Sequence, residues 1–263
     1  MKKTTGRYLG DKWIKTKALL QDKELQALVP DTKRMSATSL RRMLNRYSMV
    51  YIKPVLGSFG NGVMRVEQSS GSRGTVFTYQ LDRKKRTFKS FDSMYQSILK
   101  NKKNGPYLVQ KGVQLLKHKG RRFDIRVMVQ RNAKMKWETT GIIGRVAHPS
   151  KIITNYHGGG TPKPVISLLK PHLGAAKVLE FERILAKVGE KAARALSRKY
   201  PYVSEIGADV GVDTDIKPWI IELNTKPDPY IFRHLKKRSV YRKVLRYHKT
   251  NLRMLRKARR NSQ

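Results

Sequence analysis

The sequence contains no cysteine, and it is poor in acids: 18 Asp and Glu stand against 58 Lys and Arg in 263 residues. Without cysteine there are no disulfides, no thiolate-held zinc and no thiol nucleophile. Long apolar runs are also missing, and no window approaches the length of a membrane span. The basic start MKKTTGRYLGDKW is not followed by the apolar segment of a signal peptide. The sequence therefore predicts a protein made in a cytoplasm, with no transmembrane segment. The shortage of acids leaves a formal charge of +40, which attracts polyanions such as nucleic acid, anionic lipid surfaces or an acidic polymer. Charge names a class of partner and no reaction.

Apolar residues make up 39% of the chain and are spread throughout it, so the length is enough for a real core in one large or two small domains. Asp11–Leu28 reads as a helix ended by Val29-Pro30, and Ser36 caps a second helix through Tyr47. Met49–Val55 and Val63–Glu67 read as strands around the glycine-rich turn Gly57–Gly62. A loop at Ser69–Gly74 precedes a short strand, Thr75–Tyr79. Phe91–Leu99 reads as a helix and Tyr107–Gln110 as a strand. Phe123–Gln130 and Met135–Ala147 are longer strands, and glycines 158–160 with prolines 162, 164 and 171 mark a long loop. Gly174–Tyr200 carries the clearest helical stripe. After Pro229 the chain has no acid at all, yet it keeps helical spacing at Tyr241, Val244, Leu245, His248, Leu252 and Leu255. Repeated strand–helix–strand units are missing, so the class is α+β with mostly antiparallel strands.

The chemistry concentrates in Glu205–Pro229. Two apolar runs, Ile206–Val212 and Trp219–Leu223, flank a polar turn and read as a hairpin. If Asp213 pairs with Pro218, Asp209 falls opposite Glu222, and Asn224 shares their face. Facing carboxylates repel each other unless a cation lies between them. Oxygen ligands without His or Cys suit a hard ion such as Mg²⁺. The same spacing also fits an exposed acidic hairpin whose charges keep an edge strand soluble, and spacing alone leaves both readings open.

Upstream, Lys53-Pro54 precedes Gly57-Ser58-x-Gly60-x-Gly62. Glycines let backbone N–H groups approach a phosphate, and a lysine neutralises it as a point charge. Most such turns are only turns, and no GK[ST] opens a helix here, so this is not a Walker A loop. Asp124 and Arg126 share a strand face, where Asp124 has the commoner role of pairing with an arginine. His157 lacks partners at ligand spacing and reads as loop structure.

Asp209, Glu222 and Asn224, in a D-x-G-x-D…W-x-I-E-x-N-x-x-P pattern, resemble the metal-binding end of the ATP-grasp ligases, which include glutathione synthetase and D-alanine:D-alanine ligase. The other motifs follow in that superfamily's order. GRYLGDKW, YIKPVLGSFGNGVMRV, RRFDIRVMVQ and the basic PDPYIFRHLKKRSVYRKVLRY segment are similar to the YheC/YheD-type endospore coat-associated group. The resemblance implies that Asp209, Glu222 and Asn224 hold Mg²⁺ against ATP, and that Lys12 and Lys53 contact its phosphates. Gly57, Ser58, Gly60 and Gly62 would form the loop that covers the phosphates. The backbone around Gln110, Lys111 and Val113 would meet the adenine edge. Arg126, Arg145 and Asn155, in R-x-x-D-x-R and N-x-x-x-G-G elements, would hold phosphate or an acyl phosphate, as guanidinium forks can.

The implied fold is ATP-grasp: two α+β subdomains with mostly antiparallel sheets clasping a nucleotide, without a full N-terminal domain ahead of them. Residues 1–230 would form this unit, with a hinge near 108–113, and 231–263 a basic amphipathic helical tail. The implied activity is an ATP- and Mg²⁺-dependent carboxylate–amine (or carboxylate–thiol) ligase, associated with a spore coat or envelope. Its partners would be ATP, a carboxylate substrate and an amine or thiol acceptor, with an acidic polymer among the candidates and nucleic acid met only non-specifically. The alternatives are a structural or polyanion-binding coat protein that keeps the fold without turnover, and a basic nucleic-acid binder.

Overall fold

In the computed structural model, residues 9–72 and 74–260 are described, with side chains through Arg256. The first eight residues of the expected nucleotide-clasping unit, Arg73 of the expected Ser69–Gly74 loop, and the last three residues of the tail lie outside that range. The Asp11 carboxylate accepts the Ile14 N–H and opens helix α1 (Lys12–Leu20). The single helix expected through Leu28 is broken, because the Asp22 carboxylate accepts the Leu25 N–H and starts a separate turn, α2 (Lys23–Gln26). An Asp that satisfies an orphan N–H favours a cap over a helix interior.

The first lobe is a six-stranded antiparallel sheet. Its strands are β1 (Thr32–Arg34), β2 (Met49–Pro54), β3 (Met64–Gly71), β4 (Gly74–Leu81), β5 (Lys84–Phe88) and β6 (Tyr107–Lys111), in the order β1-β6-β2-β3-β4-β5. Helices α3 (Ala37–Tyr47) and α4 (Phe91–Asn101) cover one face and bury Leu40, Leu44, Met94 and Ile98 against Ile52 and Val66. Ser36 caps α3 as expected, in a reciprocal box with Ser39. The loop expected over Ser69–Gly74 is instead the end of a hairpin, with Gly71 paired to Gly74. Its outer residues are exposed on both faces, so no apolar alternation marks them as strand.

The second lobe contains β7 (Lys117–His118), β8 (Arg121–Arg131), β9 (Trp137–Val146), β10 (Thr161–Lys163), β11 (Glu205–Val212) and β12 (Pro218–Asn224). The order is β10-β9-β8-β11-β12, with β7 on β8, and every pair is antiparallel. One face packs on α1, α5 (Val165–Leu173) and α6 (Ala175–Lys199) through Phe123, Ile125, Leu168, Leu185, Leu196 and Val210. Helix α5 replaces part of the expected long loop. Pro171 removes one of its hydrogen bonds, but Val165, Leu168 and Leu169 are buried, and Leu168 lies where a side chain on Gly144 would stand. Burying such side chains contributes about 1.5–3 kcal/mol each, enough to offset the lost bond.

Helix α7 (Arg238–Arg260) covers the opposite face of this sheet, with the short turn Tyr230–His234 beside it. Val244, Phe232 and Leu235 close over Met128 and Ile143. Polar anchors reinforce this: His248 meets Glu205 at 2.9 Å, Gln130 donates to the Val244 carbonyl at 3.3 Å, and Tyr247 donates to Glu138 at 2.8 Å. The basic tail is a packed layer of the second lobe. No helix among the described residues is long and apolar enough to cross a membrane.

Candidate nucleotide site

The chain passes from β6 through Gly112 to Leu115, which bridges Asp213, so the two sheets meet beside the β11–β12 hairpin. An open cleft of about 890 Å³, mouth included, lies at this seam.

The hairpin itself departs from regular geometry. Val212 pairs with Pro218, one residue away from the expected Asp213–Pro218 pairing. A bulge between Asp209 and Val210 then leaves Ile221 unpaired and restores Asp209 opposite Glu222. Consecutive residues of a regular strand point to opposite faces. Here Ile221 and Glu222 both line the cleft, while their neighbours Ile220 and Leu223 enter the core. The bulge therefore places an apolar floor and a carboxylate side by side.

Asp209 and Glu222 are paired across the strands as the spacing predicts, but each carboxylate is met by protein cations. Cross-strand register sets Arg126 opposite Asp209 and Arg145 opposite Asp124. Arg126 Nε donates to Asp209 Oδ1 at 2.6 Å, and Arg145 Nη2 reaches Asp209 Oδ2 at 3.0 Å. Arg145 also grips Asp124 with both ends of its fork, at 2.8 and 2.5 Å, and Thr154 donates to Asp124 at 2.6 Å. Asn224 Nδ2 donates to Asp209 Oδ2 at 3.2 Å. Burial would raise the Asp209 pKa, but the two arginines outweigh it and hold the carboxyl at about 2. Arg145 loses by burial and gains more from its two carboxylates, so its pKa is raised. Gly207 makes room for this network, since a Cβ there would stand 2.9 Å from Arg126 Cδ.

Glu222 faces lysines. Lys12 lies 3.5 Å from it and donates to the Gly57 carbonyl at 2.7 Å, which ties the start of α1 to the glycine-rich turn. Lys53 on β2 donates to Gln110 Oε1 on β6 at 2.6 Å, and Gln110 passes the chain on to Thr32 at 3.0 Å. Burial pushes Lys53 down to about 8, although Glu222 pulls the other way. Lys15, one turn beyond Lys12, is 3% exposed and also pushed down to about 8 by burial. Its ammonium makes no hydrogen bond or ion pair to the described residues. Sequence reading missed Lys15. The available signal was a lysine at i+3 from Lys12, on the stripe that carries Ala18 and Leu19 into the core.

The expected site residues are therefore gathered unevenly. Lys12, Lys53, Gly57, Ser58, Gly60, Gln110, Lys111, Val113, Asn155, Asp209, Glu222 and Asn224 all line the cleft. Gly62 lines a neighbouring hollow behind the glycine-rich turn. Gly60 takes φ +74°, and a Cβ on it would meet Ile153 at 2.7 Å, so the turn needs glycine there. Arg126 and Arg145 are committed to buried carboxylates below the cleft.

The YheC/D-like ATP-grasp family description fits residues 2–250. The chain belongs to this family. It is 29% identical over 231 residues to the endospore coat-associated protein YheD of Bacillus subtilis (strain 168), covering 85% of this chain and 49% of that protein. The endospore coat-associated protein YheC of the same organism is 24% identical over 228 residues, covering 84% of this chain and 61% of that one. The chain thus spans about half to three-fifths of the length of these relatives. Among solved structures, D-cycloserine synthetase DcsG superposes with a TM-score of 0.54 at 12% identity, covering 88% of this chain and 67% of that one. The ADP complex of purK, an N5-carboxyaminoimidazole ribonucleotide synthetase, gives 0.51 at 12% identity, covering 90% and 51%. These likenesses establish the ATP-grasp fold of an α+β chain with two antiparallel sheets.

Proposed function

We propose that the chain is an ATP- and Mg²⁺-dependent ligase that joins a carboxylate to an amine or thiol through an acyl phosphate, in association with a spore coat or envelope. One observation carries this reading: a single cleft collects two buried lysines, a glycine-rich turn, the end of β6 and two oxygen donors, Glu222 and Asn224. Lys12 and Lys53 would take the ATP phosphates, the turn Gly57–Gly60 would close over them, and the Gln110–Val113 backbone would meet adenine. The donor set fits Mg²⁺, because Glu222 meets one ammonium at 3.5 Å and Asn224 spends only its Nδ2 on Asp209. Bound between Glu222, Asn224 and the phosphates, the metal would neutralise phosphate charge. Asp209, compensated by two arginines, would act as a fixed neighbour that orients Asn224.

In the reaction, a carboxylate oxygen attacks the terminal phosphorus, the bond to the bridging oxygen breaks and ADP leaves. The amine nitrogen or thiol sulfur then attacks the acyl carbon. The acyl carbon–oxygen bond breaks, phosphate departs, and the nucleophile's proton goes to solvent. The lysines and the turn contribute positioning and charge, which are the main sources of catalysis in phosphoryl transfer.

A second reading, an ATP-grasp fold kept without turnover, is favoured by the arginine clamp on Asp209. Thermal melts with ATP, with and without Mg²⁺, followed by a phosphate-release screen over pairs of carboxylates and amines, separate the two. Mg²⁺-dependent stabilisation with acceptor-dependent phosphate release is expected. Stabilisation by ATP without release in any pair, or no response to ATP, would overturn the first reading and favour the second.

A further inference from the structure

Six exposed cations form one line along α7: Arg238, Arg242, Arg246, Lys249, Arg253 and Arg256. Their steps of four, four, three, four and three residues keep them on a single helical face, opposite the Val244 side that enters the core. The line spans 18 residues, or about 27 Å at 1.5 Å per residue. None of the six pairs with a carboxylate among the described residues. Like charges at this spacing destabilise a helix, so the line stands at a cost that a facing anion would remove. Other acids near α7 are already engaged: Glu138 by Lys243 and Tyr247, and Glu205 by His248.

The start of the line adjoins the cleft. Asn155 lines the cleft, and the next two residues bind the segment that leads into α7. Tyr156 Oη meets His234 at 3.2 Å, and His157 meets Asp228 at 3.1 Å. The His157 ring also packs edge-on against Phe59 of the glycine-rich turn, with centroids 4.7 Å apart. Arg238 then donates to the Arg233 carbonyl at 2.8 Å. These contacts tie the segment that leads into the line to the loop that follows Asn155 of the cleft.

We propose that this line is a docking track for an extended acidic polypeptide that presents its carboxylates to the cleft. The assignment rests on the ligase reading above for its identity as a substrate, though its binding stands apart from turnover. An extended strand advances about 3.4 Å per residue and shows every second side chain on one face. Carboxylates every second residue therefore recur about every 6.8 Å, against about 5.4 Å between successive cations, a difference of about 1.4 Å per step that the long flexible side chains must take up. Five of the six cations are arginines, whose forks match carboxylates. Val244 is buried and Val240 and Tyr241 pack beside it, so this part of the apolar side of α7 is spent on the core and not on a membrane.

The test uses the full chain at low salt without nucleotide. A labelled oligoglutamate of about eight residues and a short duplex DNA are titrated by fluorescence anisotropy. The variant Arg246→Glu/Lys249→Glu/Arg253→Glu is compared with Lys84→Glu/Lys85→Glu, two exposed lysines on the other lobe. The track variant should lose at least about tenfold in oligoglutamate affinity, because three attractive contacts become repulsive. The control should lose under about threefold. A melting temperature like that of the parent shows that the track variant folds. Phosphate release with ATP, Mg²⁺, an amine and the oligoglutamate then reads the link to the cleft; the track variant should raise the apparent KM for peptide with little change in kcat. Equal losses in both variants, no binding, or tighter binding of DNA than of oligoglutamate through the track would overturn the proposal. Track binding without phosphate release from any carboxylate would sink the ligase reading instead. Release with small carboxylates that the bound oligoglutamate never supports would remove the substrate assignment alone.

Discussion

Asp209→Asn is expected to be the most destabilising single change in the cleft, even though a site carboxylate is often dispensable for folding. Asp209 is 4% exposed and lies between Arg126 at 2.6 Å and Arg145 at 3.0 Å. Removing its charge leaves Arg126 with no carboxylate partner among the described residues and Arg145 with Asp124 alone. Arginine does not relieve such a loss by giving up its proton. Breaking a buried ion pair by removing one partner costs about 3–5 kcal/mol. Glu222→Gln makes the comparison. That side chain is 23% exposed and has one ammonium at 3.5 Å. Burial holds two further lysines beside it, Lys15 and Lys53, near 8, and these relax by deprotonating. Its loss should therefore cost at most about 1 kcal/mol. For a chain of this size each kcal/mol moves the melting temperature by about 2–4 °C. Thermal melts at pH 7 without nucleotide should thus show Asp209→Asn roughly 6–20 °C below the parent, with Glu222→Gln close to it. The gap should also depend on pH. Asp209 has a folded pKa of about 2, below the unfolded value of about 3.9. Its contribution is complete above the unfolded value and disappears as pH falls through the folded one, so the parent and Asp209→Asn curves should converge between about pH 4 and 2. Equal losses in the two variants at pH 7, or a gap that persists at pH 2, would refute the ion-pair account.

Lys53→Met should weaken ATP far more than adenosine in calorimetric titration, because only the phosphates see the lost charge; equal weakening would place Lys53 elsewhere. Lys15 and Lys53 are held near 8, so a phosphate brought beside them should raise both and take up protons. Calorimetry near pH 8 in buffers of different ionisation enthalpy should show that uptake, and the apo protein should gain stability as pH rises from about 8 toward 10.4, where the unfolded chain alone binds the proton. Truncation after Lys237 should give an unstable, aggregating chain, since it uncovers Met128 and Ile143 and strands Glu205 and Gln130; a soluble product with the parent melting temperature would show that α7 is dispensable. Gly207→Ala should cost about 1–3 kcal/mol in urea unfolding, as crowding of Arg126 demands, and an unchanged midpoint would mean that Arg126 has other room.

The fold class was legible because it rests on local signals, such as a cap at Ser36 and stripes at the period of their element, whereas the cleft residues were legible chiefly through their resemblance to ATP-grasp motifs. Lys12, Lys53 and Glu222 reach the cleft because elements with those signals carry them there. What escaped depends on partners distant in sequence. The strand residues Ser69–Gly71 have no apolar pattern, because nothing covers either face. Helix α5 contains Pro171 and still forms, because Leu168 is buried over Gly144. Lys15 looked like one more surface lysine in a chain with 58 Lys and Arg, and only the packing of α1 on α6 and β12 shuts it away from water.

The hairpin shows how a correct pairing arises from two departures that cancel. Counting from an Asp213–Pro218 pair puts Asp209 opposite Glu222; the turn actually closes one residue earlier, and the Ile221 bulge restores the pairing. Sequence spacing carries the sum of these shifts and not their cause. The cause decides the chemistry, because the bulge adds Ile221 to the cleft floor while Glu222 keeps its place there. The register of β8 and β9, invisible in the hairpin's own sequence, supplies Arg126 and Arg145 to Asp209. The two carboxylates consequently sit in different electrostatic surroundings. Asp209 is locked by cations that cannot lose their charge, while two of the lysines around Glu222, Lys15 and Lys53, are held by burial near 8. A rigid charge network beneath an adaptable one is the arrangement a cleft needs if it is to keep its shape while highly charged phosphates enter and leave.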